Sequence, residues 1–456
     1  EEDPHFDITR HVVATKLVRR KGQSERQALQ ALCGELATQP LDPNHPLWQF
    51  HLIEQYEGGS ALIVRIHHCI ADGIALIAVT QSITDGGTDP PKRKARAAAA
   101  EEEHDWLAKA VLEPLTDIAV KAGCEVIRTD PGWGPAAWVG NTPPDAEARR
   151  LTAAGYERYN ALIDAAAAAG RDVPLTEILP QDGYRARFDA VMTWAVGVES
   201  AEVSTLDLAR YAESRQNWAV REGLGTVVAH AADGLDVRLQ AAVTVVDWSG
   251  GTVRVESTAG SLTARAVIVT VPTSVLAHGA IRFAPALPAA WRDAAENLPL
   301  GVVNKVFFAL APGSFDPGDA RQFIGSANTS RTCSYSLFPA KQPLLGAFFG
   351  GNLSKELEAK GLLEQFARDE LRSIFGAKID SLLGAARCTA WGSDPCSLGS
   401  YSAARPGHAA ARNVLAQPVA PNLWIAGEAC STEYYGTLHG AWLSGTAAAE
   451  GLCREN

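Results

Sequence analysis

The sequence predicts an α/β fold with α+β elements, and three observations point there. Short segments rich in β-branched residues with alternating hydrophobicity, such as GTVRVEST (251–258), read as strands. Between them lie longer helical segments, the interleaving of an α/β enzyme scaffold. The chain then closes on a strand–loop–helix, LWIAGEACSTEYYGTLHGAWLSGTAAAE (423–450), with glycines where the helix opens. At 456 residues the chain is long enough for a sizeable core and more than one domain.

Taken in order, the first territory runs over about 1–95. A proline-punctuated segment, PLDPNHPLWQFHLIE (40–54), precedes an apolar strand, ALIVRIHH (61–68). The turn CIADG and an amphipathic helix from Ile74 to Ile83 follow. A seam, TDGGTDPPKRKARAAAAEEEHD (84–105), combines Gly-Gly, Pro-Pro and runs of like charge, so a linker is expected over 96–111. The second territory, 112–456, opens with helices at LEPLTDIAVKAG (112–123) and at 145–170. Strands are expected at 236–248, 251–258, 264–272, 304–310 and 344–350, with one helix near 354–376. Leu423–Ala426 forms the last strand before the C-terminal helix.

Composition narrows the function. A net charge of −11 argues against a broad phosphate-binding surface, so no nucleic-acid partner is expected. No run of 18 apolar residues lacks charge, so no transmembrane segment is expected. Eight cysteines show neither CxxC pairing nor metal-ligand spacing with histidine, so no metal site is expected and free thiols in a reducing compartment are. The acidic opening EEDPHF has no signal-peptide pattern, and a cytoplasmic location is expected. The one methionine is Met192, so residue 1 is not an initiator and a fragment or processed product is expected.

The first cluster that carries chemistry is His67-His68-Cys69-Ile70-Ala71-Asp72-Gly73. A neutral imidazole at a strand end can take a proton from an alcohol as it attacks a thioester, while the aspartate holds the turn. A histidine pair alone is more often structural; seven residues downstream of a PLW segment are more specific. This region resembles the wax ester synthase/diacylglycerol acyltransferase family, whose HHxxxDG motif follows PLW in this order. The resemblance implies a fragment of a CoA-dependent acyltransferase-like fold over 1–95, with His68 as general base, Asp72 architectural and a long-chain acyl-CoA as partner. Nothing after residue 95 resembles that family's second half, and orientation of two substrates is a large share of such catalysis.

The second cluster lies at the C-terminus. A helix start exposes unpaired N–H groups and a positive dipole end, which suits an anion or the polar edge of a ring. Gly427, Gly436 and Gly440 let backbone approach such a group. GEACSTEYYGTLHGAWLSG resembles the end of the flavin-dependent amine oxidases, the monoamine and polyamine oxidase family. Segments 219–246, 264–288, 300–310 and 391–407 resemble the same family in the same order.

That resemblance implies an FAD-binding Rossmann-like domain (216–280 and 411–456) and a mixed-sheet substrate domain (112–215 and 281–410). It implies a small-molecule amine substrate and non-covalent FAD, since Ser400 stands where some members attach flavin through cysteine. Gly427, Glu428, Gly436, Thr437, Gly440, Ala441 and Val243 would contact the cofactor, Lys305 would hold a water near flavin N5, and Tyr401 would line the substrate. Thr437 replaces a cage tyrosine of monoamine oxidases, which leans towards a polyamine-type substrate. Hydride removal next to an amine nitrogen gives an imine, and O₂ reoxidises the flavin to yield H₂O₂.

The family's GxGxxG pyrophosphate fingerprint is missing. Gly132 and Gly134 follow no strand; Gly223 and Gly225 precede a helix but lack the third glycine and, on this reading, the preceding strand. The Rossmann-like domain is therefore expected to be incomplete and FAD binding impaired. Three functions stay open: an amine oxidase, an acyl-CoA-dependent acyltransferase, and a non-catalytic fusion of two truncated enzymes.

Overall fold

The computed structural model of the chain describes residues 7–20, 22–42, 45–66, 116–129, 137–212, 217–310 and 322–455. They fall in two units, 1–99 and 100–456. In the first, strands Trp48–Tyr56 and Gly59–Ile66 form an antiparallel hairpin, extended by a parallel strand, Val12–Ala14. The hairpin turns at Glu57 and Gly58, both at positive φ, the geometry that matches strand twist. Helix Glu25–Ala37 begins in a capping box, with Ser24 and Gln27 each accepting the other's backbone N–H. His67, His68 and Asp72 lie outside the described residues, as does the seam at 84–105.

In the second unit, a six-stranded mixed sheet runs in the order Leu383–Cys388, Val303–Leu310, Leu344–Gly350, Ser334–Leu337, Gln322–Ile324, Trp138–Val139. Helices Gly351–Lys360 and Leu363–Phe375 pack on it. Leu363, Ala367 and Leu371 recur every four residues and meet Phe308, Tyr335, Leu345 and Phe349 in a closed core. Each such leucine contributes about 1.5–3 kcal/mol by leaving water. The single helix expected near 354–376 is two, because Gly361 adopts φ 65° and ends the first. Gly361 N–H donates to Glu358 O and Leu362 N–H to Leu357 O, a Schellman stop.

A four-stranded sheet follows the order Arg282–Ala284, Val243–Asp247, Val253–Ser257, Gly260–Ala264, and a parallel pair joins Val267–Val269 to Leu423–Ile425. The strand expected at 236–248 starts only at Val243, since Gln240 is held at φ 56° and interrupts the extended backbone. That expected at 264–272 is limited to the three residues paired with Leu423–Ile425, and Pro272 then opens helix Thr273–His278. Strand Asn217–Val220, which the sequence reading denied before Gly223, is present and pairs with Val126–Thr129. Mixed sheets and helices together confirm the α/β class.

Helix Arg185–Val196 crosses this unit and approaches strand Leu300–Gly301 backbone to backbone. A Cβ on Gly301 would stand 2.6 Å from the carbonyl carbon of Gly197, and Val302 N–H donates to Gly197 O at 3.0 Å. Only a pair of glycines allows that approach, and it sets the helix end beside the strand Tyr401–Ser402 that pairs with Leu300–Gly301.

Candidate active site

The C-terminal strand–loop–helix folds as its sequence indicates. Leu423–Ile425 leads to Gly427 (φ 150°), a short turn at Glu428–Cys430, and helix Leu438–Glu455. Thr437 caps that helix: its hydroxyl accepts the Gly440 N–H at 3.0 Å and donates to Tyr434 O at 2.5 Å, and its carbonyl accepts from Ala441. Gly440 cannot be larger, because its Cβ would stand 2.0 Å from Tyr434 O. Gly427 N–H donates to Ser444 Oγ at 3.1 Å, tying the strand end to the helix.

Glu428 is the anchor of the intervening loop. Its carboxylate accepts the Ser402 N–H at 2.9 Å, the Ser402 hydroxyl at 2.8 Å and the Gly436 N–H at 2.6 Å. Ser402 in turn accepts from Arg412, which is 0 % exposed and reaches Asp207 bidentately at 2.7 and 2.8 Å. The Arg412 guanidinium also lies 3.8 Å from the centre of the Tyr435 ring. Asp207, Arg412, Ser402 and Glu428 thus form one polar chain that fixes Gly436 from behind. A buried pair of this kind is strongly destabilised by loss of one partner, which strands a charge.

Tyr401 and Lys305 join through Ser400. The Ser400 hydroxyl accepts the Val303 N–H at 2.9 Å and donates to Val303 O at 2.8 Å, so Tyr401 is tied to the lysine strand. The Tyr401 hydroxyl donates to the Trp194 carbonyl, and burial pushes its pKa well up, so its ring rather than its hydroxyl is offered to neighbours. A Cβ on Gly436 would lie 3.7 Å from that of Tyr401, which brings the anchored loop onto this tyrosine.

Lys305 is clamped at its backbone by Thr389, N–H to Oγ1 at 2.8 Å, and its ammonium lies 5.1 Å from the centre of the Phe348 ring. As a residue Lys305 is exposed. Neighbouring heavy atoms nevertheless crowd its ammonium, and that desolvation, which governs proton affinity, lowers its pKa below the ordinary lysine value.

Val243 begins its strand in register with Ser257 and packs into the same apolar cluster as Ile425 and Ala429. The expected second-unit residues therefore gather around the 400–440 segment, whereas His68 and Asp72 lie outside the described residues. Sequence reasoning missed Asp207, Ser402 and Arg412. One signal existed: Ser204-x-x-Asp207 has helix-capping spacing, and Ser204 does accept the Asp207 N–H. The Asp207 carboxylate goes instead to an arginine 205 residues away.

These residues fit the ring end of a flavin. A Cβ on Gly427 would meet nothing within 4 Å, leaving the turn between strand end and helix start unobstructed. The pyrophosphate end is different. Strand Asn217–Val220, Gly223 at φ 90° and helix Leu224–Ala231 make a strand–turn–helix, yet the third glycine is absent. Among the described residues no helix is long and apolar enough to cross a membrane.

Comparison with known proteins agrees with both resemblances. Residues 1–153 match the wax ester synthase/diacylglycerol acyltransferase catalytic domain. Polyamine oxidase 4 of Oryza sativa subsp. japonica is 34% identical over 243 residues, 51% of this chain and 48% of that protein. The chain thus spans about half the length of that curated relative. Cyclohexylamine oxidase from Brevibacterium oxydans IH-35A superposes with a TM-score of 0.61 at 20% identity, over 75% of this chain and 85% of the other. A putrescine oxidase solved with putrescine gives 0.57 at 16% identity, over 97% and 98%. These structures share the fold. Residues 183–453 match the family described as flavin containing amine oxidoreductase, and the chain belongs to that family.

Proposed function

We propose that this amine oxidase-like flavoenzyme oxidises a small-molecule amine to an imine, with FAD as non-covalent acceptor and O₂ consumed to H₂O₂. The observation that carries the reading is the anchored loop: Glu428 binds Ser402 and Gly436 and so brings Gly427, Thr437 and Tyr401 together beside the lysine strand. Bound FAD supplies the two-electron acceptor at N5 and the route to O₂. The protein's residues do the remainder. Gly427, Gly436, Thr437, Gly440 and Ala441 receive the ring edge, and Val243 lies towards the adenosine end. The Tyr401 ring positions a neutral amine. Lys305, with its lowered pKa, holds a water and can exchange a proton nearer neutrality than an ordinary lysine. Three of the proteins it resembles are named for polyamine, putrescine and cyclohexylamine, all amines.

Ring-end anchoring without a glycine-rich pyrophosphate turn makes FAD weakly held. The full chain should lose colour on gel filtration and regain flavin absorbance when FAD is added back. Peroxide release with putrescine or cyclohexylamine should follow the flavin content and fall in Lys305→Met. Peroxide release that is indifferent to FAD would overturn the reading.

The seven-residue motif and the match over 1–153 favour a second activity in the first territory. There His68 would take the proton of an alcohol as its oxygen bonds to the acyl carbon, the thioester C–S bond breaks, and the proton passes to the CoA thiolate. Thiol release from a long-chain acyl-CoA should vanish in His68→Ala; unchanged release would remove His68 from the mechanism.

A further inference from the structure

Residues Leu235–Leu239, LDVRL, alternate apolar and charged side chains, the period-2 pattern of a strand. They form none. The chain turns through them between helix Leu224–Ala231 and strand Val243–Asp247, with Leu235 N–H on Ala232 O and Val237 N–H on Leu235 O. Among the described residues, the N–H groups of Asp236, Arg238 and Leu239 have no backbone acceptor, and all three residues are exposed. The apolar side chains stand in water too: Leu235 is 68 % exposed, Val237 57 % and Leu239 82 %. Leu224 and Val228, one turn apart on the preceding helix, are also more than half exposed. A single exposed leucine needs no explanation, but this much aliphatic surface in one short stretch marks an interaction surface.

The charges select the occupant. Asp236 and Arg238 lie two residues apart, so in an extended chain they share the face opposite Leu235, Val237 and Leu239. In one copy they answer each other, Arg238 Nη2 to Asp236 Oδ2 at 3.2 Å, with both side chains mostly exposed. When the segment pairs with itself, antiparallel about a two-fold axis at Val237, Asp236 faces Arg238 of the second copy and Leu235 faces Leu239. No neighbouring register does this. An axis at Asp236 sets aspartate against aspartate, and an axis at Arg238 sets arginine against arginine. An axis between residues sets leucine and valine against charges.

We propose that Leu235–Leu239 is a dimerisation strand, which becomes ordered against the same segment of a second copy of this chain. Pairing satisfies the idle backbone groups, joins two charge pairs across the axis and gathers three aliphatic side chains from each copy into one apolar row. Across 233–241 no like charges oppose one another in this register, which matters for two chains that each carry a net charge of −11. The inference stands apart from amine oxidation and from any bound flavin.

The test is sedimentation equilibrium of the full chain over a concentration series, with charge variants that complement each other. Asp236→Arg leaves only positive charges on the strand and Arg238→Asp only negative ones, so each variant alone should dimerise about tenfold or more weakly than wild type. Mixed together, the two variants should form a heterodimer as tight as the wild-type homodimer. The double variant Asp236→Arg/Arg238→Asp should recover wild-type association. Val237→Lys, which sets two ammonium groups at the axis, should weaken it by itself and keeps the test decisive if a charge variant melts broadly. A wild-type chain that stays monomeric up to about 0.1 mM overturns the proposal and leaves the segment to a strand of some other polypeptide. Undiminished dimers in Val237→Lys and in both single charge variants place the contact elsewhere and overturn it equally. A mixture of the two charge variants that fails to associate does the same.

Discussion

Arg412 and Arg187 are both withdrawn from solvent, at 0 % and 9 % exposed, yet they are surrounded in opposite ways. Arg412 meets a bidentate carboxylate, a serine hydroxyl, two carbonyls and a tyrosine ring. Arg187 meets a cleft. The first arrangement specifies a loop and holds it; the second leaves the guanidinium its residual contact with water. Burial alone therefore does not show whether an arginine holds its surroundings in place, whereas the set of partners does.

The largest effect is expected where the partner set is fullest. Asp207→Ala should cost about 3–5 kcal/mol in denaturant unfolding, because it strands the Arg412 charge. The double variant Asp207→Leu/Arg412→Met should lose less than Asp207→Ala alone, since neither charge then remains buried. Equal losses would make the pair an ordinary packing contact and dissolve the contrast with Arg187. Arg187→Met should cost nothing in the same experiment, and a loss approaching that of Asp207→Ala would make it structural.

Glu199 extends the comparison to an acid. Its Oε1 accepts the Asn352 N–H at 2.7 Å while its buried Oε2 has no partner among the described residues. Burial raises its pKa above 4.5, so the folded chain binds its proton more tightly than the unfolded chain. Stability should fall as pH rises from 4.5 through the raised value. Glu199→Gln should flatten that fall and gain on the order of 1 kcal/mol at neutral pH, read from melts across pH. A wild-type curve already flat in that window would mean that Oε2 is compensated.

Lys305 should give a small stability effect and the clearest kinetic one. Its folded pKa lies below 10.5, so the unfolded chain binds more protons between the two values and stability should rise with pH across that window. The rate of flavin reduction should show an inflection below 10.5 that disappears in Lys305→Met. An inflection retained in the variant would assign it to the amine substrate.

Much of this architecture was legible in the sequence where the signal was local. The closing strand, Gly427 turn and helix start all follow from neighbouring residues, as do the strands Val303–Leu310 and Leu344–Gly350. What escaped was non-local or set by a single backbone angle. Strand Asn217–Val220 exists because Val126–Thr129, far upstream, supplies its partner. Gly361 divides a helix that hydrophobic spacing alone would continue. The Asp207–Arg412 pair spans 205 residues and carries no motif.

The most direct measurement of the central claim is the visible spectrum of the full chain mixed with FAD, before and after anaerobic addition of an amine. The account predicts protein-bound flavin bands that bleach with amine and return with air, and bleaching that slows in Lys305→Met. A chain that folds cooperatively, stays colourless in excess FAD and releases no peroxide would contradict it.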